Sequence, residues 1–254
     1  MDIATILGLV LGIGALLGSF IMEGGHLSAL IQWPAIILVI VGTFGATIIT
    51  TSLKQVKALP ELIKIAAFEK KLNPQQLIEL IFELAQGARK NGLLSLEKDL
   101  TRIREPFLKK ALQLAIDGFE TNKIKEILEI ETSYVEERHK SGAAFFQKLG
   151  GYSPTLGIMG TVLGLIHALS NLENSSNIAS SIAAAFIATL WGVALANLIY
   201  LPISDKLKAR HQDETLCLEI ITEGVISLAM GDNPRVIRMK LLSFLIPGLR
   251  AEED

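Results

Sequence analysis

Basic residues are missing from long stretches of this 254-residue chain. All 24 lysines and arginines fall in two blocks, 17 between Lys54 and Lys148 and 7 between Lys206 and Arg250, so residues 1–53 and 149–203 hold none. Cysteine is nearly absent, and the single Cys217 excludes an intramolecular disulfide. Together with four scattered histidines, His26, His139, His167 and His211, it makes no cluster at zinc-site spacing, and no metal or cofactor is expected. A net charge of −2 and a pI near 6.1 exclude the strongly basic face of a nucleic-acid binder. The usual catalytic signatures are missing too: no Gly-x-x-x-x-Gly-Lys phosphate loop, no His-Glu-x-x-His, no Gly-x-Ser-x-Gly elbow. The chain is not read as an enzyme.

What the sequence has in quantity is apolar. It is 50% hydrophobic and 20% charged, with a mean hydropathy of +0.44, the composition of a membrane protein. A helix needs about 20 apolar residues to cross the hydrocarbon layer. Four stretches qualify: Ile3 to Met22, Pro34 to Leu53, Gly150 to Leu169 and Ile178 to Ile203. The short connections Glu23 to Trp33 and Ser170 to Asn177 carry Glu23 and Glu173 but no basic residue, whereas the other flanks are rich in lysine. The positive-inside rule puts both turns outside a cytoplasmic (inner) membrane and both termini inside. The first span is as long as a full crossing and lacks a basic leader, so it is expected to be retained rather than cleaved.

The expected fold is an all-α integral membrane protein, four transmembrane helices in two hairpins with a helical cytoplasmic domain. Residues 1–53 form the first hairpin, 54–148 the cytoplasmic domain, 149–203 the second hairpin and 204–254 a cytoplasmic helical tail. Within the cytoplasmic part, Asn73-Pro74 reads as a capped helix start, followed by Leu77, Leu80, Ile81 and Leu84 on one face. A second periodic stretch begins at Thr121, with Ile124, Ile127, Leu128 and Ile130 toward one side, and continues toward the third span. In the tail, Leu216, Ile220, Glu223, Ile226 and Ser227 keep a helical rhythm until Gly231-Asp232-Asn233-Pro234 breaks it.

A proton or cation path normally leaves an ionisable residue at membrane depth. The four spans contain no Asp, Glu, Lys or Arg, so this subunit alone lacks a charge carrier. What it offers is small and hydroxylated stripes. Gly157, Gly160, Thr161, Gly164 and Ala168 share one face of the third span, and Ala185, Thr189, Gly192 and Ala196 one face of the fourth. Two readings stand. The plain one is close helix packing within one subunit. The sharper one has Thr161 and Thr189 facing a partner helix that brings the missing carboxylate, their oxygens helping to dehydrate a cation such as sodium. Pro154 and Pro202 each remove a backbone bond, to the carbonyls of Gly150 and Leu198, and so either loosen their helices or merely start and end spans. Arg89 and Glu97 flank a glycine break, and as isolated charges they read as solvated.

Taken together these segments resemble the MotA/PomA family, the larger membrane subunit of the bacterial flagellar stator. The resemblance rests on two hairpins about a cytoplasmic block and on Arg89 to Glu97 with Gly92-Leu93-Leu94 inside. It rests also on Ser153-Pro154-Thr155-Leu156-Gly157-Ile158-Met159-Gly160-Thr161 opening the third span and on Pro202 closing the fourth. The related ExbB/TolQ energisers of outer-membrane transport share the proline-led helix but have three spans, and lack the first hairpin and the Arg/Glu segment. What the resemblance implies is a homopentamer around the helices of two copies of a MotB-like partner, whose membrane aspartate supplies the carboxylate. It further implies ion flow driving a torque on the rotor protein FliG, with Arg89 and Glu97 at the rotor interface and Pro154 and Pro202 coupling ion occupancy to helix movement. Sodium-driven members resemble this chain in having threonine at both positions matched by Thr161 and Thr189, whereas proton-driven members commonly have alanine at the first. Sodium is therefore expected over the proton. The competing readings are an ExbB/TolQ-like energiser and a non-conducting membrane scaffold.

Overall fold

The computed structural model describes residues 3–68, 72–170 and 175–249; the expected outer turn around Glu173 lies outside the described residues. Among the described residues regular structure is helical, without strands. Contacts divide the chain into two compact units, residues 1–69 with 139–209 and residues 70–138 with 210–254.

The first unit holds the apolar helices. Helix α1 is Ile3–Met22, α2 Trp33–Ile49, α3 Leu53–Lys57 and α4 Leu59–Ala67. It continues with residues 139–170 of the 50-residue helix α7 (Thr121–Ser170), then α8 (Ser175–Leu195), a π-helical turn at Ala196–Tyr200 and the start of α9 (Leu201–Ala229). Three helical stretches are long and apolar enough to cross a membrane: Ile3–Met22, Thr121–Ser170 and Ile178–Ala229. Helix α2 is shorter, and here the sequence expectation needs correction. A span over Pro34 to Leu53 was anticipated, but α2 stops at Ile49 after 17 residues, about 25 Å at 1.5 Å per residue. The cause is local polar chemistry. Thr50 and Thr51 donate their hydroxyls to Thr47 O at 3.0 and 2.9 Å, and Ser52 with Gln55 closes a reciprocal capping box that starts α3. Hydroxyl and amide side chains thus take the backbone groups that a longer helix would use.

The unit has its own core, in which Val39 of α2 meets Phe145, Phe146 and Leu149 of α7 and Leu195, Tyr200 and Leu207 of the last helices. Helix α1 has no buried residue; apolar throughout, it is suited to lipid rather than water.

The second unit is an ordinary water-facing core. It comprises α5 (Pro74–Asn91), a 3-10 run at Leu93–Thr101, α6 (Pro106–Ile116), residues 121–138 of α7, the remainder of α9 and α10 (Pro234–Leu242). The Asn73 side chain caps α5 by accepting from Gln75 N at 2.9 Å and Gln76 N at 3.4 Å, with Pro74 at the first helical position. Leu77, Ile81 and Leu84 are buried and Leu80 packs against the same cluster. Ile124 and Leu128 are fully buried on α7, whereas Ile130, placed on the same side by periodicity, is 53% exposed. Ile124 and Leu128 are one turn apart, and Ile130, two residues on, has rotated about 200° around the axis.

The break at Gly231 is real: its φ of 77° is a left-handed conformation that favours glycine, and Asn233 caps the following α10. That helix is then fastened twice. Arg238 donates to Glu79 Oε1 of α5 at 3.0 and 2.9 Å while lying over the Phe82 ring. Lys240 donates to Asp232 at 2.9 Å and to Ser227 at 3.1 Å, and the bond to Asp232 holds its pKa above the ordinary lysine value.

Cys217 sits in this core at 1% exposure, its thiol 3.9 Å from Leu72 O. Burial, with added repulsion from Asp213, Glu105 and Glu214, pushes its pKa up to about 11 from 9.0. The folded state thus favours the protonated thiol, so this contribution is present below pH 9 and disappears as the pH rises through about 11. In native membranes at pH 8 Cys217 should resist maleimide, which needs an accessible thiolate, and should label fully in detergent-unfolded protein. Equal labelling in both states would contradict the buried assignment.

Candidate ion site between two apolar helices

Helices α7 and α8 approach so closely that side chains would not fit between them. A Cβ built on Gly157 would lie 2.9 Å from Ala188 O and 3.1 Å from Thr189 Cα. On Gly192 it would lie 2.7 Å from Ser153 O and 3.0 Å from Gly157 Cα. Gly160 and Gly164 are similarly tight, 2.6 Å from Ala188 Cβ and 2.7 Å from Ala185 Cβ. The four glycines selected from sequence therefore line one crossing, and the two small stripes face each other. In lipid, where apolar contact brings helices together only weakly, such approach is stabilised by dispersion and by hydrogen bonds across the seam.

Those bonds are present. Buried Ser153 donates its hydroxyl to Gly192 O at 2.9 Å. Two turns further along α7, the Thr161 and Thr189 hydroxyls are in direct hydrogen-bond contact. Thr161 Oγ1 also lies 3.0 Å from Ala185 O and 3.2 Å from Gly157 O, and Thr189 Oγ1 3.4 Å from Gly157 O. Two hydroxyls and two main-chain carbonyls thus converge, both threonines remaining half-buried. Each hydroxyl has one proton and two lone pairs. With the protons turned aside, the cluster presents oxygens of the kind that replace water around a hard cation.

The other sequence-selected residues lie elsewhere. Pro154 is inside α7, next to Ser153 and one turn before Thr161's partner carbonyl at Gly157. Pro202 is the second residue of α9, directly after the π-helical turn. They do not meet. Arg89 is in the last turn of α5 and Glu97 in the 3-10 run, joined through Gly92 at a φ of 82°. Both are exposed, and among the described residues neither is in an ion pair.

Sequence reasoning passed over three further ties in this unit. Ser153 was noted only as part of a motif. Ser204, fully buried, donates to Ala143 O at 2.8 Å, and Trp191 Nε1 donates to Leu30 O at 2.8 Å. A lone serine in an apolar run was the available signal, since a hydroxyl without water must find a carbonyl; nothing in sequence marked Leu30.

The crossing generates a contrast. Gly192→Val should prevent the helices from closing, lowering the amount of folded protein in membranes and the melting temperature in detergent. Gly151→Ala, where nothing lies within 4 Å of the added methyl, should be neutral or stabilising by up to about 1 kcal/mol. Equal tolerance of both would refute close contact at Gly192.

Comparison with known proteins places the fold and the family. Residues 99–220 match the MotA/TolQ/ExbB proton channel family, and residues 6–92 match the motility protein A N-terminal family. Motility protein A of Bacillus subtilis (strain 168) is 38% identical over 246 residues, covering 96% of this chain and 91% of that protein. Among solved structures, C. jejuni MotAB superposes with a TM-score of 0.94 at 34% identity, covering 100% of both chains. The flagellar MotAB stator complex from Bacillus subtilis superposes with a TM-score of 0.90 at 37% identity, covering 96% of each. This is an ion-channel family and not an enzyme family, and the chain belongs to its motility protein A branch.

Proposed function

We propose that this chain is the larger membrane subunit of a flagellar stator, conducting a cation with a MotB-like partner and converting its flow into torque. The observation that carries the reading is end-to-end likeness to a flagellar stator complex, with a TM-score of 0.90 over 96% of the chain. The match of residues 6–92 to the motility protein N-terminal family weighs against an ExbB/TolQ-like energiser, which has no counterpart of the first hairpin.

In this reading four segments cross the inner membrane, both termini lie in the cytoplasm and five copies surround two partner helices. The partner's membrane aspartate stands opposite the oxygens of Thr161 and Thr189, which take over part of the ion's hydration shell. Sodium is favoured over the proton because both positions are threonine and two carbonyls join them. One charge crossing 100 mV supplies about 2.3 kcal/mol per step. Pro154, beside the Ser153–Gly192 bond, and Pro202, beside the π-helical turn, stand where α7 and α8 can change packing as the site fills and empties. Arg89 and Glu97, exposed and without an ion pair among the described residues, meet complementary charges on the rotor protein FliG. Exposed ion pairs are individually weak, which suits contacts made and broken at each step.

The test is swimming speed against external sodium, at fixed membrane potential and pH, in a stator-less host given this chain and its natural partner. Speed should saturate with sodium. Thr161→Ala should weaken that dependence by roughly tenfold in half-saturating sodium, about 1.4 kcal/mol, while leaving assembly intact. Unchanged sodium-dependent swimming in the variant would sink the sodium assignment, and motility indifferent to sodium would transfer the ion to protons.

A second expectation concerns the charges. Reversing both, Arg89→Glu with Glu97→Arg, should cut the stall torque of tethered cells several-fold, with insertion and partner binding unchanged. Normal torque in the double variant would remove the pair from the rotor contact.

A further inference from the structure

Helix α2 ends where an apolar surface gives way to lysines. Ile37, Val41 and Ile48 are exposed and, at about 100° per residue, stand within about 40° of one another. They lie opposite the stripe of Ala35, Val39, Thr43 and Thr47 that the helix buries. The exposed apolar surface continues with Ile49, the last residue of α2, at 86% exposure and with Leu53, the first residue of α3, at 73%. Cations begin at this level, Lys54 and Lys57 on α3 and Lys148 on α7.

Local geometry fixes the direction of these side chains. The Ser52–Gln55 capping box starts α3, and the Gln55 amide bonds the Ser141 hydroxyl of α7. Leu53 and Lys57, one turn apart, are each about 160° around the axis from Gln55, so both turn away from α7, and both are exposed. Lys148 donates to Thr50 O at 3.0 Å, which holds a third ammonium at the end of α2 with two N–H groups to spare. Among the described residues no ion pair neutralises Lys54, Lys57 or Lys148. Between Gly24 and Phe68 the chain carries Lys54, Lys57 and Lys64 against one acid, Glu61.

We propose that the end of α2, with α3 and Lys148, is a docking site for an anionic phospholipid. Its phosphate sits among Lys54, Lys57 and Lys148, and its acyl chain lies along Ile48, Ile49 and Leu53. The site rests on the reading of α2 as a membrane span, and not on which ion Thr161 and Thr189 take. Continuity selects a lipid over an acidic protein, because the apolar stripe of α2 leads directly into the lysines. Charge selects an anionic headgroup over a zwitterionic one, since basic segments beside a span are attracted to anionic lipid. Length adds to both. The 17 residues of α2 cover about 25 Å of a hydrocarbon layer about 30 Å thick, a mismatch that flanking lysines relieve by reaching for phosphate.

The experiment uses the full chain with its natural partner, purified in a neutral detergent. Melting temperature is read as phosphatidylglycerol or phosphatidylcholine is added to the micelles. Phosphatidylglycerol should raise it by several degrees to a plateau, and phosphatidylcholine should not. Lys54→Gln with Lys57→Gln should raise half-saturating phosphatidylglycerol by roughly tenfold or more, at about fivefold for each lysine. Lys123→Gln with Lys125→Gln, which removes two cations paired with Glu126 and Glu129 in the second unit, should match the wild type. If the Lys54 and Lys57 double variant fails to assemble, the two single variants replace it, each expected to shift the midpoint about fivefold. Equal stabilisation by the two lipids, or an unchanged midpoint in the Lys54 and Lys57 variants, would overturn the site. The same rise with inorganic phosphate in place of lipid would overturn it in favour of a free-anion site. A chain released from membranes by alkaline carbonate would overturn the span reading of α2 and the lipid site with it.

Discussion

The contact of α7 with α8 at Gly157 and Gly192 sets the geometry of the first unit. With hydrogen in place of side chains at four positions, the two backbones come near enough for Ser153 to reach Gly192 O and for Thr161 to reach Ala185 O across the seam. A methyl at Gly157 or Gly192 would meet main-chain atoms, which cannot rotate away. The closeness also explains how uncharged helices gather oxygens at all. Threonine alone normally returns its hydroxyl to its own helix, as Thr47 does to Thr43 O; here the neighbouring carbonyl is equally near.

The second unit is held by different physics. Water surrounds it, and burial of Ile78, Leu108, Leu112, Ile124, Ile220 and Ile237 supplies its stability, at about 1.5–3 kcal/mol for each large side chain. Polar contacts there orient. Arg238 bonds Glu79 while covering Phe82, so α10 fixes α5, and α5 ends in the turn that carries Arg89. Gly92, in the left-handed region, then redirects the chain so that Glu97 follows on a separate 3-10 run. The rotor contact proposed for these exposed charges would need such a rigid mount, since free side chains would lose in entropy what weak ion pairs return.

Much of this was legible because the sequence signals were of the right kind. Charge-free stretches located the apolar helices, Asn73-Pro74 located a capped start, and spacings of three and four aligned the glycines with Thr161 and Thr189 before any coordinates. The misplaced features depend on competition that periodicity does not see. Hydropathy ran on to Leu53, but two threonine hydroxyls and the Ser52–Gln55 capping box ended α2 at Ile49. Ile130 fitted an apolar count and not the angular position of its face. Pro202 was visible, yet the π-helical turn before it was not, because an inserted residue leaves no composition mark. Nor could sequence pair Ser153 with Gly192 or Trp191 with Leu30, contacts between residues far apart along the chain.

The oxygen cluster is satisfied without an ion, and this bears on the conduction proposed for it. The two hydroxyl protons of Thr161 and Thr189 are already taken up among each other and the carbonyls of Gly157 and Ala185, so in the proposed site a cation must displace such bonds to gain ligands, and its net affinity is the difference. A cluster of orphaned oxygens would bind more tightly and release more slowly. Conduction requires a site strong enough to strip water and weak enough to let go. In the proposed site, a pair of hydroxyls that close on each other when the ion leaves would meet both demands and restore the helix seam between one ion and the next.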